Sequence, residues 1–322
     1  MPASQEITAD TPVKEYSITR LSKDNLADIA RLHQAVYGKA QPAGYFEKKY
    51  DTAYTGVSHV GFIAYSNEVP IAYYGVIPCF IQHGNKKMLA AQSADTMTHP
   101  GYRFKGMFVE LSNITFDLCR QLGIQLIFGF PNQNSYHGAV NKLGWQHAGS
   151  MECFTITVKG LPWEKIFNRF NALNNLYKRY GLLIVKKKLL PLAGVANTAL
   201  QDGFAGVCRD ENYLLYKTYS NTSVIEIAGA KIWISNKHGI MIGDMEGVSA
   251  VNFNVVMQQL KKIAKRSGIR LIQFHCSTGT ALHALFSRHY AATPSYPVLV
   301  QDFGSVIEPA ALKFSFADID IF

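Results

Sequence analysis

Apolar and polar positions alternate in a regular order over the first third of the chain. Three apolar segments, Val60–Tyr65, Ile71–Gln82 and Met88–Thr98, are separated by the short polar turns at 66–68 and 83–85. Short polar turns between apolar runs are typical of antiparallel hairpins. The pattern therefore predicts a meander of three β-strands.

The segments on either side of this meander predict further strands and helices. Tyr16–Leu21 precedes it as a strand, and Ser22 follows as the N-cap of a helix that ends at Gly38. After the meander, apolar residues recur with the 3.6-residue period of a helix at Met107, Leu111, Ile114, Leu118 and Leu122. A strand at Ile124–Phe130, a helix that opens at Asn134-Ser135-Tyr136 and a strand at Met151–Val158 complete this part.

The same order of predicted elements returns in the second half of the chain. Its predicted strands and helices are Ser223–Ala228, Lys231–Ser235, Gly239–Asp244, helix Val251–Arg266, Arg270–His275, helix Thr280–His289 and Val298–Gln301. The sequence thus predicts four regions: a flexible N-terminus at 1–15, a first domain at 16–160, a basic helical connector at 161–202 and a second domain at 203–322.

Length and composition fit a two-domain globular protein. The 322 residues are 48% hydrophobic and 17% charged, and no apolar run approaches the roughly 18 residues that would span a bilayer. The N-terminal residues lack the basic start and apolar stretch of a signal peptide, so a cytoplasmic protein is expected. The five scattered cysteines show no metal-ligand spacing, which predicts buried, reduced thiols and no bound metal.

The turn Gly101-Tyr102-Arg103-Phe104-Lys105-Gly106 lies between the third strand of the meander and the following helix. Unpaired backbone N–H groups and the positive end of the helix dipole favour an anion at such a position, and a phosphate suits both. The net charge of +9 agrees with a polyanionic ligand, and a coenzyme with several phosphates satisfies it. No nucleic-acid-binding motif is present, so nucleic acid is not an expected partner.

These segments resemble the acyl-CoA core of the GNAT acyltransferase superfamily over residues 16–158. The resemblance is carried by the strand that ends in His99-Pro100, the turn with Arg103 and Gly106, and the helix that ends in Lys142-Leu143-Gly144-Trp145. Phe104 and Phe108 depart from the small residues usual in the family's turn. The resemblance implies an α/β (α+β) fold of two GNAT-like domains, each with a mixed, mostly antiparallel central sheet flanked by helices.

The resemblance also implies an N-acetyltransferase that uses acetyl-CoA, or another acyl-CoA, as co-substrate. Main-chain groups of Met97, Thr98 and His99 would bind the pantetheine arm and the thioester carbonyl. The turn Arg103-Phe104-Lys105-Gly106-Met107 would hold the diphosphate, and Asn134 would contact the coenzyme arm. Tyr136 or Ser135 would protonate the leaving thiolate.

The general base is less clearly marked. Asp95 lies on the strand just before the turn and is either the acceptor of the amine proton or a buried carboxylate bonded to backbone amides. His99 and His137 are alternatives, and the acceptor could instead face Glu47, Asp51, Asp244 or Glu246.

The second half departs from this scheme. Its phosphate turn is expected at Gly243–Gly247, where two carboxylates would repel a diphosphate, so it is predicted not to bind coenzyme A. The tandem order resembles Fem-type transferases. The predicted function is acyl transfer to an amine, with an amino sugar or cell-envelope precursor as candidate acceptor. Alternatives are a Fem-like aminoacyl transferase and a non-catalytic binding module, and basic residues at Lys178–Lys188 suggest peripheral membrane contact.

Overall fold

The computed structural model describes residues 15–160, 186–236 and 239–322. The elements of the first half, in chain order, are β1 (Ser17–Arg20), α1 (Leu26–Tyr37), α2 (Tyr45–Tyr50), β2 (Val60–Ser66), β3 (Val69–His83), β4 (Lys86–Thr98), α3 (Met107–Gln121), β5 (Leu126–Gly129), α4 (Gln133–Leu143) and β6 (Gln146–Thr157). The predicted meander and the helices and strands around it are confirmed, with end points that differ by a few residues.

The second half contains the remaining elements of the described residues. They are β7 (Leu189–Leu190), α5 (Thr198–Gln201), β8 (Gly206–Val207), α6 (Glu211–Tyr216), β9 (Thr222–Ile227), β10 (Ala230–Asn236), β11 (Ile240–Glu246), α7 (Phe253–Arg266), β12 (Leu271–Ser277), α8 (Ala281–Ser287) and β13 (Ala292–Asp302). Three strands, a helix, a strand, a helix and a strand therefore follow one another twice, from β2 to β6 and from β9 to β13.

A single sheet connects the two halves. Its strand order is β1-β2-β3-β4-β5-β13-β6-β12-β11-β10-β9-β7, with β8 paired to β3. Only β4 with β5 and β11 with β12 are parallel among the described pairs. β6 pairs with β12 and β13 pairs with β5, so each half gives its last strand to the other. The mixed, mostly antiparallel α/β fold class is confirmed, whereas the division into two domains stays a prediction.

Helices cover both faces of the sheet in the first half. On one face α1 and α2 pack on side chains of β3 and β4 that include Tyr73, Ile77 and Met97. On the other face α3 and α4 pack on the alternate residues, among them Tyr74 and Val76. Because successive strand residues point to opposite faces, one apolar strand contributes side chains to two cores. Each fully buried large apolar side chain contributes about 1.5–3 kcal/mol to these cores.

The buried face of α7 differs from the predicted one. The predicted face contained Val251 and Val255, but these are 93% and 47% exposed. The helix begins at Phe253, after Asn252, and its buried side chains are Phe253, Val256, Met257, Leu260, Ile263 and Ala264. Val251 thus precedes the helix. Of the four residues predicted on one side, Leu260 and Ile263 are buried as predicted, whereas Val251 and Val255 are not.

Other expectations have mixed outcomes. All five cysteines are buried and free, as predicted. The predicted basic connector lies mostly outside the described residues, because 161–185, including Lys178, is not described. In the part that is described, Lys188 donates to Gln259 at 3.1 Å. No helix within the described ranges is long and apolar enough to cross a membrane.

Candidate active site

The parallel strands β4 and β5 separate where the candidate site begins. Their pairing joins Ala90–Gln92 to Leu126–Phe128 only. β5 ends at Gly129, whereas β4 continues to Thr98 with β3 on its other side. Within the described residues, no strand pairs with the β5-facing edge of β4 beyond Gln92. An extended ligand can therefore hydrogen-bond to this edge as an added strand would.

A β-bulge in this exposed part of β4 sets the direction of Asp95. The register with β3 shifts between Tyr73 and Gly75, and Asp95 has a φ of 51°. Bulges bend a strand and redirect a side chain, and a non-glycine residue in the left-handed region costs about 1–3 kcal/mol. Such strain is common at functional sites, which agrees with the proposed role of Asp95.

The predicted anion turn leads from β4 into α3 and has an open helix N-terminus. Gly106 precedes α3 with a φ of 79°, and no side chain caps the helix. Among the described contacts, no backbone hydrogen bond is made by the N–H groups of residues 104–108. A Cβ atom added to Gly106 would have no atom within 4 Å, so the space in front of the helix is open. The turn therefore fits a phosphate group.

The two phenylalanines of the turn leave this space free. Phe104 has a φ of 67° and is fully exposed to solvent. Phe108 turns into the protein, where its ring lies 6.2 Å from that of Tyr74 and against Gly138. Arg103 and Lys105 are exposed beside the turn and can add positive charge. The departure from the family's small residues does not close the N-terminus of α3.

The first turn of α4 brings the other predicted residues to the same edge of the sheet. The side chain of Asn132 caps this helix by accepting hydrogen bonds from the N–H groups of Asn134 and Ser135 at 3.0 and 3.1 Å. The Ser135 hydroxyl lies 3.3 Å from the Asn132 carbonyl oxygen. Tyr136 is half-buried, and its hydroxyl has no hydrogen-bond partner within the described part of the chain. Helices that follow parallel strands start at one edge of the sheet, so α3 and α4 both begin here.

The carboxylate of Asp95 belongs to a buried ionic cluster. Its Oδ2 atom lies 2.6 Å from the Lys49 ammonium and accepts a hydrogen bond from the Tyr50 hydroxyl at 2.8 Å. Lys49 also pairs with Oδ2 of Asp320 at 2.8 Å, and Gln92 donates to Oδ1 of Asp320 at 2.9 Å. The Lys49 side chain is 1% exposed and that of Asp95 is 14% exposed. We call Lys49, Asp95 and Asp320 the ionic cluster.

Burial and charge act in opposite directions on the groups of this cluster. Burial lowers the pKa of Lys49, but Asp320 and Asp95 outweigh it and hold the pKa well above its ordinary value. Burial raises the pKa of Asp320, yet the Lys49 charge and hydrogen bond keep it below its ordinary value. Near neutral pH Lys49 therefore stays protonated and Asp320 stays ionised.

Several candidate residues lie elsewhere or have other partners. Glu47 and Asp51 are exposed. His137 is exposed and packs on the Tyr136 ring. His99 accepts a hydrogen bond from the Gly101 N–H group through Nδ1 at 3.2 Å, so this nitrogen is already used. Among the alternatives to Asp95, none named here belongs to the ionic cluster.

Sequence reasoning missed Lys49 and Asp320. Lys49 belongs to an aromatic and charged segment whose composition is typical of a solvated amphipathic helix, but its side chain is 1% exposed. Asp320 lies 225 positions beyond Asp95, and no spacing rule connects them. The only local signal is that Phe46, Lys49 and Tyr50 share one side of α2.

The predicted position of the second phosphate turn is wrong. Asp244 and Glu246 belong to β11, because the strand continues to Glu246, and the turn into α7 occupies 247–252. Asp244 is completely buried and pairs with Arg209 at 2.7 Å, while Glu246 pairs with Lys231 at 2.9 Å. Neither carboxylate therefore faces an acceptor as an unpaired group.

The C-terminal segment 312–322 crosses the end of β12, where a ligand would lie in the second half. Cys276 forms a β-bridge with Ser315, and the Ser277 N–H group donates to the Phe314 carbonyl oxygen at 2.8 Å. Asp318 pairs with Arg209 at 2.8 Å. This segment then continues to Asp320 in the ionic cluster of the first half.

Comparisons with known proteins agree with this geometry. Residues 17–148 match a family model described as an acetyltransferase (GNAT) domain. No curated protein matches the sequence.

Three solved structures show the likeness of fold. A GCN5-related N-acetyltransferase from Kribbella flavida is 11% identical, with a TM-score of 0.57 over 89% of this chain and 71% of that one. A conserved protein of unknown function from Enterococcus faecalis V583, titled a probable N-acyltransferase, is 12% identical, with a TM-score of 0.58 over 89% and 73%. A putative acetyltransferase from Pyrococcus horikoshii is 11% identical, with a TM-score of 0.55 over 97% of both chains.

At these identities the solved structures establish similarity of fold alone. The family match covers β1 to α4, which are the elements that form the candidate site. Residues 17–148 are thus similar to an acetyltransferase (GNAT) domain, and the chain shares its fold with the three solved structures.

Proposed function

We propose that this protein transfers an acetyl or related acyl group from coenzyme A to an amine. The observation that carries the proposal is the open N-terminus of α3, which lies beside the unpaired end of β4. A diphosphate needs the former and an extended pantetheine arm needs the latter. The two features adjoin at one edge of the sheet.

The turn supplies the contacts for the diphosphate. The N–H groups of residues 104–108 would donate to its oxygens, and Arg103 and Lys105 would add charge. Hydrogen bonds to charged groups contribute about 1.5–3 kcal/mol each, so a few of them suffice to hold a coenzyme. Gly106 keeps the approach to the helix free because it carries no side chain.

The end of β4 would orient the reacting end of the donor. Main-chain groups from Met97 to His99 lie where the strand continues past β5, and Asn134 is exposed at the start of α4. Acetyl-CoA, when bound, supplies an activated thioester. A preformed main-chain donor at its carbonyl oxygen would stabilise the charge that develops there during attack by the amine.

Asp95 and Tyr136 are the proposed proton acceptor and donor. Within the described part of the chain, the ion pair and the hydrogen bond of Asp95 both fall on Oδ2. Its Oδ1 therefore stays available to take a proton from the acceptor ammonium. Tyr136 would give its proton to the departing thiolate, since its hydroxyl makes no recorded hydrogen bond in the described residues. Ser135 is the weaker candidate because its hydroxyl is close to Asn132.

The second half contributes one wall of the acceptor side. Tyr219 packs on the Tyr45 ring at 5.8 Å, and Asp320 belongs to the ionic cluster. The path of segment 312–322 across the end of β12 supports the proposal that this half binds no coenzyme of its own. An amino sugar or cell-envelope precursor stays a prediction for the acceptor.

Calorimetry with acetyl-CoA tests donor binding. Arg103→Glu combined with Gly106→Trp should abolish the binding heat, because it reverses a charge and fills the space before α3. Lys86→Glu is the matched control: Lys86 is exposed at the opposite end of β4, so its reversal should leave the affinity unchanged. Equal affinity for the double variant and the wild type would contradict the assignment.

A thiol-release assay then separates an enzyme from a binding protein. Acetyl-CoA and a panel of amines, amino sugars and peptides are supplied, and free coenzyme A is measured. Release that depends on one class of amine supports acyl transfer. Coenzyme binding without release for any amine would favour a non-catalytic module.

A further inference from the structure

The ionic cluster joins distant parts of the chain at the candidate site. Lys49 comes from α2, Asp95 from the bulge of β4 and Asp320 from the C-terminal segment. Both carboxylates contact the same ammonium, so the negative charge of each opposes the effect of that ammonium on the other. The inference below assumes the proposed function, in which Asp95 accepts the proton.

The two carboxylates differ in how many of their oxygens are used. Asp320 is buried, with Oδ1 bonded to Gln92 and Oδ2 to Lys49. Asp95 is the more exposed of the two, and among the described residues its contacts with Lys49 and Tyr50 both fall on Oδ2. Asp320 therefore has no oxygen ready for a substrate, whereas Asp95 has one.

The tyrosines around the cluster are uncharged near neutral pH. Arg103 and Lys217 are further basic groups near it, and the charge of the buried Lys217 side chain helps to lower the pKa of Asp320. Burial is the largest cause that raises the pKa of the surrounding tyrosines, which are Tyr37 from α1, Tyr45 and Tyr50 from α2, Tyr73 from β3 and Tyr219. Arg103 is exposed in the turn, and its charge acts to lower the pKa of Tyr37. Among the described residues, Lys49 is thus the cation that contacts Asp95, whereas Lys217 lies on the Asp320 side and donates to the Ile319 carbonyl oxygen at 2.7 Å.

We propose that Asp320 is a positioning residue whose negative charge offsets part of the effect of the Lys49 charge on Asp95 and so keeps Asp95 basic. In the reaction, Oδ1 of Asp95 takes a proton from the acceptor ammonium, and the neutral amine attacks the thioester carbon. The C–N bond forms, the C–S bond breaks, and the thiolate takes the proton of Tyr136. The nitrogen loses its second proton as the amide forms, and this proton restores the Tyr136 hydroxyl through solvent. Without Asp320, Lys49 would pair with Asp95 alone and weaken it as a base.

The direct test measures the protonation of Asp95 without relying on activity. Protein labelled with ¹³C at the aspartate carboxyl groups is titrated by NMR, and the Asp95 resonance is identified by its loss in Asp95→Asn. In Asp320→Asn, the titration midpoint of this resonance should fall by about one pH unit, the size of effect that one nearby charge exerts. Asp320→Glu should restore the wild-type midpoint.

The control removes a carboxylate at the opposite end of the strands from Asp95. Asp302 ends β13, opposite Leu126 at the start of β5, so Asp302→Asn changes the net charge equally but far from Asp95. Its Asp95 midpoint should equal that of the wild type. An unchanged or raised midpoint in Asp320→Asn would overturn the proposal, even if the variant were less stable.

Kinetics provide the second readout. The acid limb of kcat/KM for acetyl transfer should move to lower pH in Asp320→Asn by the same amount, with a lower plateau. A plateau that falls without any movement of the limb would show that Asp320 is only structural. Failure of the wild-type protein to transfer acetyl groups would refute the proposed function instead, and the NMR titration would still decide whether Asp320 controls Asp95.

Discussion

Replacement of Lys49 by methionine tests the ionic cluster most severely. The change keeps the length and apolar stem of the side chain but removes the ammonium that Asp95 and Asp320 share. Two carboxylates that are 14% and 11% exposed would then lie close together without a cation. Their mutual repulsion and incomplete hydration both oppose folding.

The expected loss follows from the burial of the pair. Removing one partner of a buried ion pair costs about 3–5 kcal/mol, because the other charge stays buried and uncompensated. At roughly 2 °C per kcal/mol for a chain of this size, the melting temperature at pH 7 should fall by about 6–10 °C. Lys48→Met is the matched control, since Lys48 is the exposed neighbour on the same helix and should change the melting temperature little.

The pH dependence gives the sign of the effect. In the wild type the folded pKa of Asp320 is lowered, so this group stabilises the fold above its unfolded pKa of about 3.9 and loses this contribution as pH falls through the folded value. In Lys49→Met the charge and the hydrogen bond of Lys49 are lost, so burial raises the pKa of Asp320 above its wild-type value. The variant should therefore be penalised most near pH 7, and the gap to the wild type should narrow as pH falls towards about 4.

Thermal unfolding from pH 4 to pH 8 measures this gap. Lys49→Met combined with Asp320→Asn should recover part of the lost stability at pH 7, because one of the two uncompensated charges is gone. The reasoning is refuted if Lys49→Met melts within about 2 °C of the wild type at pH 7. It is equally refuted if the gap widens on acidification.

Three further predictions concern the proton donor, the second half and a close packing contact. Tyr136→Phe should lower kcat for acetyl transfer by about 10- to 100-fold with little change in acetyl-CoA affinity, as measured by thiol release and calorimetry; an unchanged kcat would exclude the role. Arg209→Met should lower the free energy of unfolding by about 3–5 kcal/mol, because it leaves two fully buried carboxylates without their cation. Urea unfolding measures this loss, and a clearly smaller one would contradict the prediction. Gly243→Ala should cost about 1–3 kcal/mol in the same assay, since its Cβ would overlap the buried ring of Phe322, and a neutral effect would mean that this ring can move away.

Local patterns in the sequence determined the elements and the donor side of the site. The alternating segments predicted β2, β3 and β4, and the 3.6-residue period predicted α3, because these patterns depend on neighbouring positions only. The same holds for the turn from Arg103 to Gly106, whose proposed role in phosphate binding follows from its place before a helix. In α7, however, the periodic pattern did not fix where the helix starts, so the predicted face was right at Leu260 and Ile263 but wrong at Val251 and Val255.

The acceptor side was decided by the tertiary structure. Lys49, Asp95 and Asp320 meet only because β4 carries a bulge, α2 packs beneath it and the C-terminal segment returns to the first half. Asp244 is a second example. Its carboxylate was predicted to lie in a turn, but it is buried in β11 against Arg209. Sequence patterns report contacts between neighbours along the chain, whereas buried charges are placed by partners that the fold brings from far away.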